Sequence, residues 1–294
     1  MHVVFTLPHL LAPLAYHNKQ LLYDLLFRAL FRASAATLLE VAANPERLGA
    51  ELGFLSVLHT WGQTLQHHPH VHCVIPAGGL SPDRERWIHA RPDFFLPVRV
   101  LRKVFRGKFT DGLKRLWREK RLCLPGALKA LKQEKTFRTF LRSLHRKKWV
   151  VYAKPPFGGP QHVSQYLARY THRVAISNHR IVNFAEGKVS FRWKDYAHSS
   201  QQRVMTLDAD EFLRRFLQHL LPRRFVRIRS FGFLANRQRT ASLALCRQLL
   251  AVAEVPVPEA KTCETAWRCP HCGGPMVVME RLTPAQLEVA LDSS

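Results

Sequence analysis

In the N-terminal part of the chain, hydrophobic residues recur at two different spacings, one typical of strands and one typical of helices. Residues 2–7 and 54–61 are rich in β-branched and aromatic side chains that alternate with polar ones, which predicts strands. Residues 18–43 place leucine and alanine at helical spacing, which predicts a helix. A further strand is predicted at 70–77, and a short one at 87–88. Because strand follows strand with only short connections, the pattern predicts local antiparallel pairing.

The C-terminal part of the chain adds a predicted β-meander and several helices. Residues 174–177, 180–184 and 189–193 are strand-like and joined by short turns. Asp208 precedes an apolar stretch and Glu211 follows three residues later, which predicts a helix opened by a capping box. The remaining predicted elements are helices at 97–122, 135–147, 161–172 and 237–252, and strands at 149–154 and 225–231.

Taken together, these elements predict an α+β fold with one large domain. The chain has 294 residues, of which 47% are hydrophobic, enough to bury a sizeable core. Residues 1–252 are predicted as this domain, with a basic helical insertion at about 97–148. Residues 253–294 are predicted as a Pro-rich linker and a tail. No apolar run approaches the ~18 residues needed to span a bilayer, and no signal peptide is evident.

The charge of the chain points to a polyanionic partner. The sequence has 45 Lys and Arg against 21 Asp and Glu, giving a formal net charge of +24. Basic side chains release condensed counterions when they neutralise phosphates, so nucleic acid is the natural counterpart. An anionic membrane surface is the weaker alternative, because the basic residues are spread along the chain with no amphipathic anchor at either end. The basic helices of the insertion could equally be ordinary solvated faces.

The six cysteines divide into two groups. Cys73, Cys123 and Cys246 lie inside apolar or helical patterns and are predicted to be buried, inert thiols. Cys269 and Cys272 form a CxxC within CPHCGG, which is typical of metal binding rather than of a disulfide framework. This pair is half of a tetrahedral zinc site, with Cys263 and His271 as weak candidate partners. The cysteine usage fits a reducing cytoplasm.

The most informative stretch is HHPHVHC, residues 67–73. On a strand, His70 and His72 point to one face, and the intervening apolar side chain points to the other. Two imidazoles presented in this way can share one metal ion. The alternatives are two exposed strand histidines, or a turn after Pro69.

A hard-metal site needs more than two histidines. Gln63, seven residues before His70, is the predicted third ligand. His59, His67 and His68 compete with it for this role.

The second informative stretch is SQYLARYTHR, residues 164–173. Tyr166 and Tyr170 are four apart, which places both phenols on one face of a helix. The alternative is a pair of half-buried helix tyrosines. A phenol with an ordinary pKa of about 10 becomes a useful nucleophile when a metal polarises the target phosphate. Tyr166 would then form a 5′-phosphotyrosine, Tyr170 would permit a second cleavage, and Arg169 between them could contact the phosphate.

In these stretches the chain resembles the two-tyrosine HUH transposases of rolling-circle insertion sequences, the IS-ninety-one-like family. The resemblance runs in order along most of the chain. The matching blocks are HVVFTLPH (2–9), VLHTWGQTLQHHPHVHCVIPAGG (57–79), WVVYAKPPFGG (149–159), YLARYTHRVAISN (166–178), FRWKDY (191–196), MTLDADEFLRRFLQHLLP (205–222), FVRIRSFGFLANR (225–237) and the CPHCGG tail.

The resemblance implies a metal- and tyrosine-dependent enzyme that nicks single-stranded DNA and transfers the strand at the ends of a mobile element. It implies an HUH-type central antiparallel sheet flanked by helices, with Mg²⁺ or Mn²⁺ as the working metal and no nucleotide cofactor. His70 and His72 take the HUH positions, and Tyr166 and Tyr170 take the paired-tyrosine positions. Family members usually carry a cysteine-rich zinc-binding segment before the first strand, and this sequence begins at that strand.

Further expectations accompany this assignment. The CxxC tail is predicted to be a small zinc-ribbon-like unit that could carry Zn²⁺, and the protein is expected in the bacterial cytoplasm with the nucleoid. The sequence leaves the oligomeric state open. The alternatives are a replication-initiator or mobilisation nickase with the same chemistry, and a DNA-binding derivative without activity. The basic residues predicted to contact DNA are Lys154, Arg169, Arg173, Arg227 and Arg229.

Overall fold

The computed structural model forms two compact units, Met1–Val252 and Ala253–Ser294. The residues that it describes are 1–30, 39, 42–44, 46, 48–90, 98–154, 175–196, 198–252, 267–268, 271–272 and 275–276. None of the helices in these ranges has the length and apolar composition needed to cross a membrane.

The first unit mixes strands and helices along its whole length. Short 3-10 helices lie at His9–Leu11, Gly126–Lys132 and Asn178–Arg180. The strands and α-helices, in chain order, are β1 (His2–Thr6), α1 (Ala12–His17), α2 (Lys19–Leu30), β2 (Gly53–Trp61), β3 (His67–Val74), β4 (Gly78–Leu80), β5 (Trp87–His89), α3 (Val98–Arg118), α4 (Glu134–Arg146), β6 (Val150–Lys154), β7 (Ile181–Ala185), β8 (Lys188–Asp195), β9 (Gln201–Asp208), α5 (Ala209–Leu217), β10 (Ile228–Gly232) and α6 (Arg239–Leu249).

A central antiparallel sheet organises this unit. Its strand order is β10-β2-β3-β1-β6, and every neighbouring pair is antiparallel. One face packs against helices: Phe5 on β1 contacts Phe105 on α3, with ring centroids 5.4 Å apart, and Trp149 contacts the same ring at 5.2 Å. The predicted α+β class, with a central antiparallel sheet flanked by helices, is therefore confirmed.

The alternation within β3 decides which side chains enter the core. Val71, Cys73 and the following Ile75 are almost fully buried. His70 and His72 lie between them and therefore point to the opposite face of the sheet. The strand begins earlier than the sequence predicted and includes Pro69.

A second, three-stranded antiparallel sheet is built from β7, β8 and β9. Phe191 on β8 packs against Phe212 on α5, with ring centroids 5.8 Å apart. Val189 and Leu65 are buried in the same small cluster. This sheet and α5 thus form a local core of their own.

The predicted three-stranded meander exists, but its strands lie further along the chain than the sequence predicted. The strand predicted at 174–177 is wrong in its described part: Ala175 has a left-handed φ of 56°, and a 3-10 helix follows at Asn178–Arg180. The third strand is instead β9. It was missed because most of its residues are exposed on both faces, so that no apolar alternation marks it.

Two predictions about single residues are also wrong. Asp208 does precede α5, but its side chain makes no capping hydrogen bond. Glu211 instead accepts hydrogen bonds from Arg214 and Arg215 at 2.6 and 2.7 Å, and these two guanidinium groups bind its carboxylate from the same helix. Cys123 is exposed rather than buried, because it lies in the loop after α3, where its backbone N–H donates to Asn18.

The other helix and strand predictions largely hold. The helices at 97–122, 135–147 and 237–252 correspond to α3, α4 and α6. The short strand at 87–88 is β5, which pairs with β4. The predicted helix at 161–172 lies outside the described residues.

The second unit is described only in part. Its strands are β11 (Trp267–Arg268) and β12 (Pro275–Met276), which pair antiparallel. Cys272 and His271 are exposed between them. Cys269 lies outside the described residues, so the zinc-ribbon-like tail stays a prediction.

Candidate metal centre

Three histidines meet on the face of the central sheet opposite the one that packs against α3. His70 and His72 lie on β3, and His59 lies on β2 directly opposite His70 in the register. Each offers one ring nitrogen, and these nitrogens lie within 4.8 Å of one another. Among the described residues this is the one group of three or more His, Cys, Asp or Glu side chains that could hold a metal ion.

The three rings form a compact cluster. The ring centroids of His59 and His72 are 4.2 Å apart, those of His70 and His72 are 4.8 Å apart, and those of His59 and His70 are 5.3 Å apart. Trp61 stacks on His59 with ring centroids 5.0 Å apart and an interplanar angle of 12°. The register of β2 and β3 shifts between His59 and Trp61, and this irregularity accompanies the stacking of the two rings.

Burial keeps these imidazoles neutral. It lowers the pKa of His70 to about 4, and it lowers the pKa of His59 and His72 well below the ordinary value. The charges of the neighbouring histidines add to the effect of burial at His59 and His72. A metal ligand must be a neutral imidazole, so the cluster can bind a cation at neutral pH without first losing protons.

Hydrogen bonds fix which ring nitrogen is left for a metal. The Nδ1–H group of His70 donates to the backbone carbonyl of His68 at 2.6 Å. The Nδ1 atom of His72 lies 2.8 Å from Nε2 of His2, and the two rings are parallel, with centroids 5.0 Å apart. Metal-binding histidines commonly have their second nitrogen held in this way. The donor set of three imidazoles fits a divalent cation.

Gln63, the predicted third ligand, is engaged elsewhere. Its side-chain oxygen accepts a hydrogen bond from the backbone N–H of Lys194 at 3.3 Å, and its carbonyl accepts one from Arg180 at 2.7 Å. Both contacts connect it to the three-stranded sheet. The third side chain that the fold brings to His70 and His72 is His59, which the sequence named as a competitor.

His67 belongs to a different buried network. Its Nε2 lies 2.7 Å from the Tyr23 hydroxyl, and its ring stacks on His219 with centroids 6.3 Å apart. His219 in turn donates to the carbonyl of Leu65 at 2.9 Å. Burial lowers the pKa of His67 to about 3 and that of His219 to about 4. These side chains link β3 to α2 and to the turn after α5.

Three of the five predicted DNA-contacting residues, Lys154, Arg227 and Arg229, lie in the described part of the chain. Arg229 forms an ion pair with Asp24 at 3.2 Å, and its guanidinium lies 4.3 Å from the ring centroid of Phe27. Partial burial lowers the pKa of Arg227. Lys154 stands opposite His2 in the β1–β6 register. DNA contact by these residues stays a prediction.

The predicted nucleophiles lie outside the described residues. This holds for Tyr166 and Tyr170, and also for Arg169 and Arg173. The structure therefore locates the imidazole half of the predicted site.

Sequence reasoning missed His2 altogether. The sequence carried one signal for it, since His2 is a histidine at the start of a predicted strand. What the sequence could not supply was the β1–β3 register, which sets His2 opposite Val74 and so beside His72.

Comparisons with known proteins agree with one another. The sequence model of the Y2_Tnp family, described as "Putative transposase", matches residues 53–241. The "Putative transposase y4qJ" of Sinorhizobium fredii is 51% identical over 293 aligned positions, which cover 95% of this chain and 72% of that protein. The "Transposase for insertion sequence element IS801" of Pseudomonas savastanoi pv. phaseolicola is 28% identical over 299 positions, which cover 94% of this chain and 66% of that protein.

Among solved structures, the conjugative relaxase TrwC in complex with mutant OriT DNA matches 84% of this chain and 72% of its own chain. The TM-score is 0.30 and the sequence identity is 14%. The resemblance to insertion-sequence transposases that the motifs indicated is confirmed by the two sequence relatives. The family model matches residues 53–241, and a relative is 51% identical over 95% of this chain, so the chain belongs to the Y2_Tnp transposase family.

Proposed function

We propose that this protein nicks single-stranded DNA and transfers the cut strand through a 5′-phosphotyrosine intermediate in rolling-circle transposition. The observation that carries the proposal is the cluster of His59, His70 and His72 on the sheet of a chain that belongs to a transposase family. A cluster of neutral imidazoles suits a cation that holds a phosphate. The relatives named as transposases support the same reaction class.

In this reaction the nucleophile is a phenol. The Tyr166 oxygen attacks the scissile phosphorus, a new P–O bond forms, and the bond to the 3′ oxygen breaks with its electron pair on that oxygen. The phenol releases its proton to water as the new bond forms, and the departing 3′ oxygen takes up a proton from water and becomes a free hydroxyl. His59, His70 and His72 would hold a divalent cation, which would supply neutralisation of the phosphate charge.

A second phenol extends nicking to strand transfer. Tyr170 makes a second cleavage while the first phosphotyrosine survives, and a free 3′ hydroxyl then attacks that phosphotyrosine to rejoin the strand. The energy of the broken phosphodiester is kept in the protein–DNA bond, so the reaction requires no nucleotide cofactor. Arg169 and Arg173 are proposed to hold the phosphate backbone, together with Lys154, Arg227 and Arg229. The reaction belongs in the bacterial cytoplasm, where the element ends are.

The nicking step is tested by trapping the covalent intermediate. The full chain is incubated with labelled single-stranded DNA carrying element-end sequence and Mn²⁺, and a protein–DNA adduct is sought on a denaturing gel. We expect an adduct with the parent protein and none with Tyr166→Phe/Tyr170→Phe. Tyr196→Phe is the matched control. Tyr196 is exposed directly after β8 of the three-stranded sheet, so this change should leave the adduct unchanged. An adduct that survives the double change would refute these nucleophiles.

The metal centre is tested separately from DNA binding. His70→Ala and His59→Ala should abolish the adduct while single-stranded DNA binding is largely retained, because charge contacts supply most of the affinity. Equal loss of binding and cleavage would show that the histidines serve the fold and not the chemistry. DNA binding without any adduct in the parent protein would favour the alternative of a DNA-binding derivative without activity.

A further inference from the structure

The edge strand β6 presents an exposed aromatic side chain beside the metal centre. In the described part of the chain β6 pairs only with β1. Val151 is 3% exposed and faces the helix-covered core, whereas Val150 and Tyr152 are 46% and 51% exposed. Because neighbouring side chains on a strand point to opposite faces, Tyr152 lies on the face of the sheet opposite the one that packs against α3.

The register places Tyr152 in line with the metal centre. Tyr152 is opposite Val4 on β1, and Val4 is opposite His72 on β3. Three residues in a row across an antiparallel sheet lie on the same face, and the two strand spacings between the outer ones amount to roughly 10 Å. His70 stands two residues before His72 on the same face. A DNA strand with its phosphate at the imidazoles would therefore pass over or beside Tyr152.

An exposed ring at this position has a chemistry that suits a nucleobase. Single-stranded nucleic acids are commonly recognised on the open face of a sheet, where aromatic side chains stack on unpaired bases. Every base has a π-face, so such stacking tolerates many sequences. The charge of the chain favours the same occupant, because a formal net charge of +24 attracts a polyanion.

We propose that Tyr152 is a stacking platform for one nucleobase of the single-stranded DNA bound at the metal centre. This rests on the proposed function in one respect, that the substrate is single-stranded DNA. Stacking would fix the strand next to the scissile phosphate and so hold that phosphate in register with the cation and the nucleophile. The role belongs to the aromatic ring and not to the hydroxyl.

The test compares DNA with and without bases. Binding is measured by fluorescence anisotropy in the full chain carrying Tyr166→Phe/Tyr170→Phe, so that no covalent adduct forms. The probes are a labelled oligothymidylate about twenty nucleotides long and an abasic strand of equal length, which keeps the phosphates and removes the bases. Tyr152→Ala, Tyr152→Phe and the control Tyr196→Ala are compared on both probes, and thermal melting confirms that each variant is folded.

We expect Tyr152→Ala to weaken oligothymidylate binding about tenfold and to leave abasic-strand binding within twofold. Tyr152→Phe should bind both probes like the parent, since the ring is retained. Tyr196→Ala should also match the parent. The loss in Tyr152→Ala would then depend on the presence of a base, which is the signature of stacking.

Three results would overturn the stacking role. The first is an unchanged oligothymidylate affinity in Tyr152→Ala, and the second is an equal loss of affinity for both probes. The third is a loss of affinity in Tyr152→Phe as large as in Tyr152→Ala, which would assign the effect to the hydroxyl. The outcome is separable from nicking. If the parent forms adducts and Tyr152→Ala binds normally, only the stacking proposal fails. If base-dependent binding is found and no adduct forms, only the nicking proposal fails.

Discussion

Each imidazole at the metal centre has two nitrogens, and its neighbours determine which of them is left for a cation. The Nδ1 atoms of His70 and His72 are engaged by the His68 carbonyl and by His2. A neutral imidazole that binds a metal through Nε2 carries its proton on Nδ1, and the bond from His70 to the His68 carbonyl requires this tautomer of His70. When Nδ1 of His72 carries the proton, as binding of a metal through Nε2 requires, it donates to Nε2 of His2. We therefore expect His2 to position the His72 ring without binding the cation itself.

Replacing His2 should therefore weaken metal binding. His2→Ala removes the acceptor for the His72 ring and should lower the Mn²⁺ affinity by about 10- to 100-fold, as measured by calorimetry on the folded protein. His2→Gln should restore part of the affinity, because its side-chain oxygen can accept the same hydrogen bond. His179→Ala, at an exposed histidine, is the control. An Mn²⁺ affinity in His2→Ala equal to that of the parent would exclude the positioning role.

At the level of elements, the sequence predicted which face of a single strand is buried, but it did not predict which residues of two strands pair. The alternation in β3 was predictable from the sequence because one face of the strand is buried. Val71 and Cys73 point into the core, and His70 and His72 point to the other face. The third histidine of the cluster could not be identified from the sequence, because His59 reaches His70 and His72 through the pairing of β2 with β3. Sequence distance favoured Gln63, but the connection between β2 and β3 carries that residue toward Lys194 and Arg180 instead.

Two glycines on α3 give a matched test of how this helix packs. A Cβ at Gly112 would collide with the side chain of Leu25 on α2, whereas a Cβ at Gly107 would meet open space. Gly112→Ala should destabilise the protein by about 1–3 kcal/mol through overpacking. Gly107→Ala should stabilise it by about 0.5–1 kcal/mol, because alanine is the better helix former. Urea unfolding measures both, and equal effects of the two changes would contradict the close α2–α3 contact.

The buried pair His67 and His219 should make the fold sensitive to acid. Both have folded-state pKa values, about 3 and about 4, below the ordinary 6.5 of the unfolded chain. Between these values the unfolded state binds more protons, so stability falls as the pH falls below 6.5 and is fully present above it. At pH 5 each histidine should cost about 2 kcal/mol relative to pH 7.5.

Chemical denaturation across this pH range separates the pair from the other histidines. His219→Gln should lower stability at pH 7.5, because the hydrogen bonds to Leu65 and Thr60 are disturbed. It should also flatten the fall in stability between pH 6.5 and 5, because one of the titrating groups is gone. His179→Gln, at an exposed site, should leave the slope unchanged. An equally steep fall in His219→Gln would show that His219 does not contribute to it.

For the whole molecule, the dominant feature is the excess of positive charge. The formal net charge of +24 is distributed over helices and strands alike. On α4 the apolar residues Phe137, Leu141 and Leu144 are buried, so the exposed side of this helix is left to basic side chains. A surface of this kind attracts DNA at long range and also contacts phosphates directly, and the two effects differ in their response to salt.

The dependence of single-stranded DNA affinity on salt distinguishes direct contacts from long-range attraction. Each phosphate contact contributes about 0.7 to the slope of log affinity against log salt, with a negative sign. If α4 contacts the strand, changing Lys135, Arg142 and Arg146 together to Gln should make the slope about 2 less negative. The matched control removes the same amount of charge on and beside α6, by Arg237→Gln, Arg239→Gln and Arg247→Gln. This variant should bind DNA slightly more weakly, with little change in the slope. Equal changes in slope for the two triple variants would show that α4 acts through net charge alone. A changed slope only for the α4 variant would place phosphate contacts on the basic helical insertion, in addition to those at the sheet.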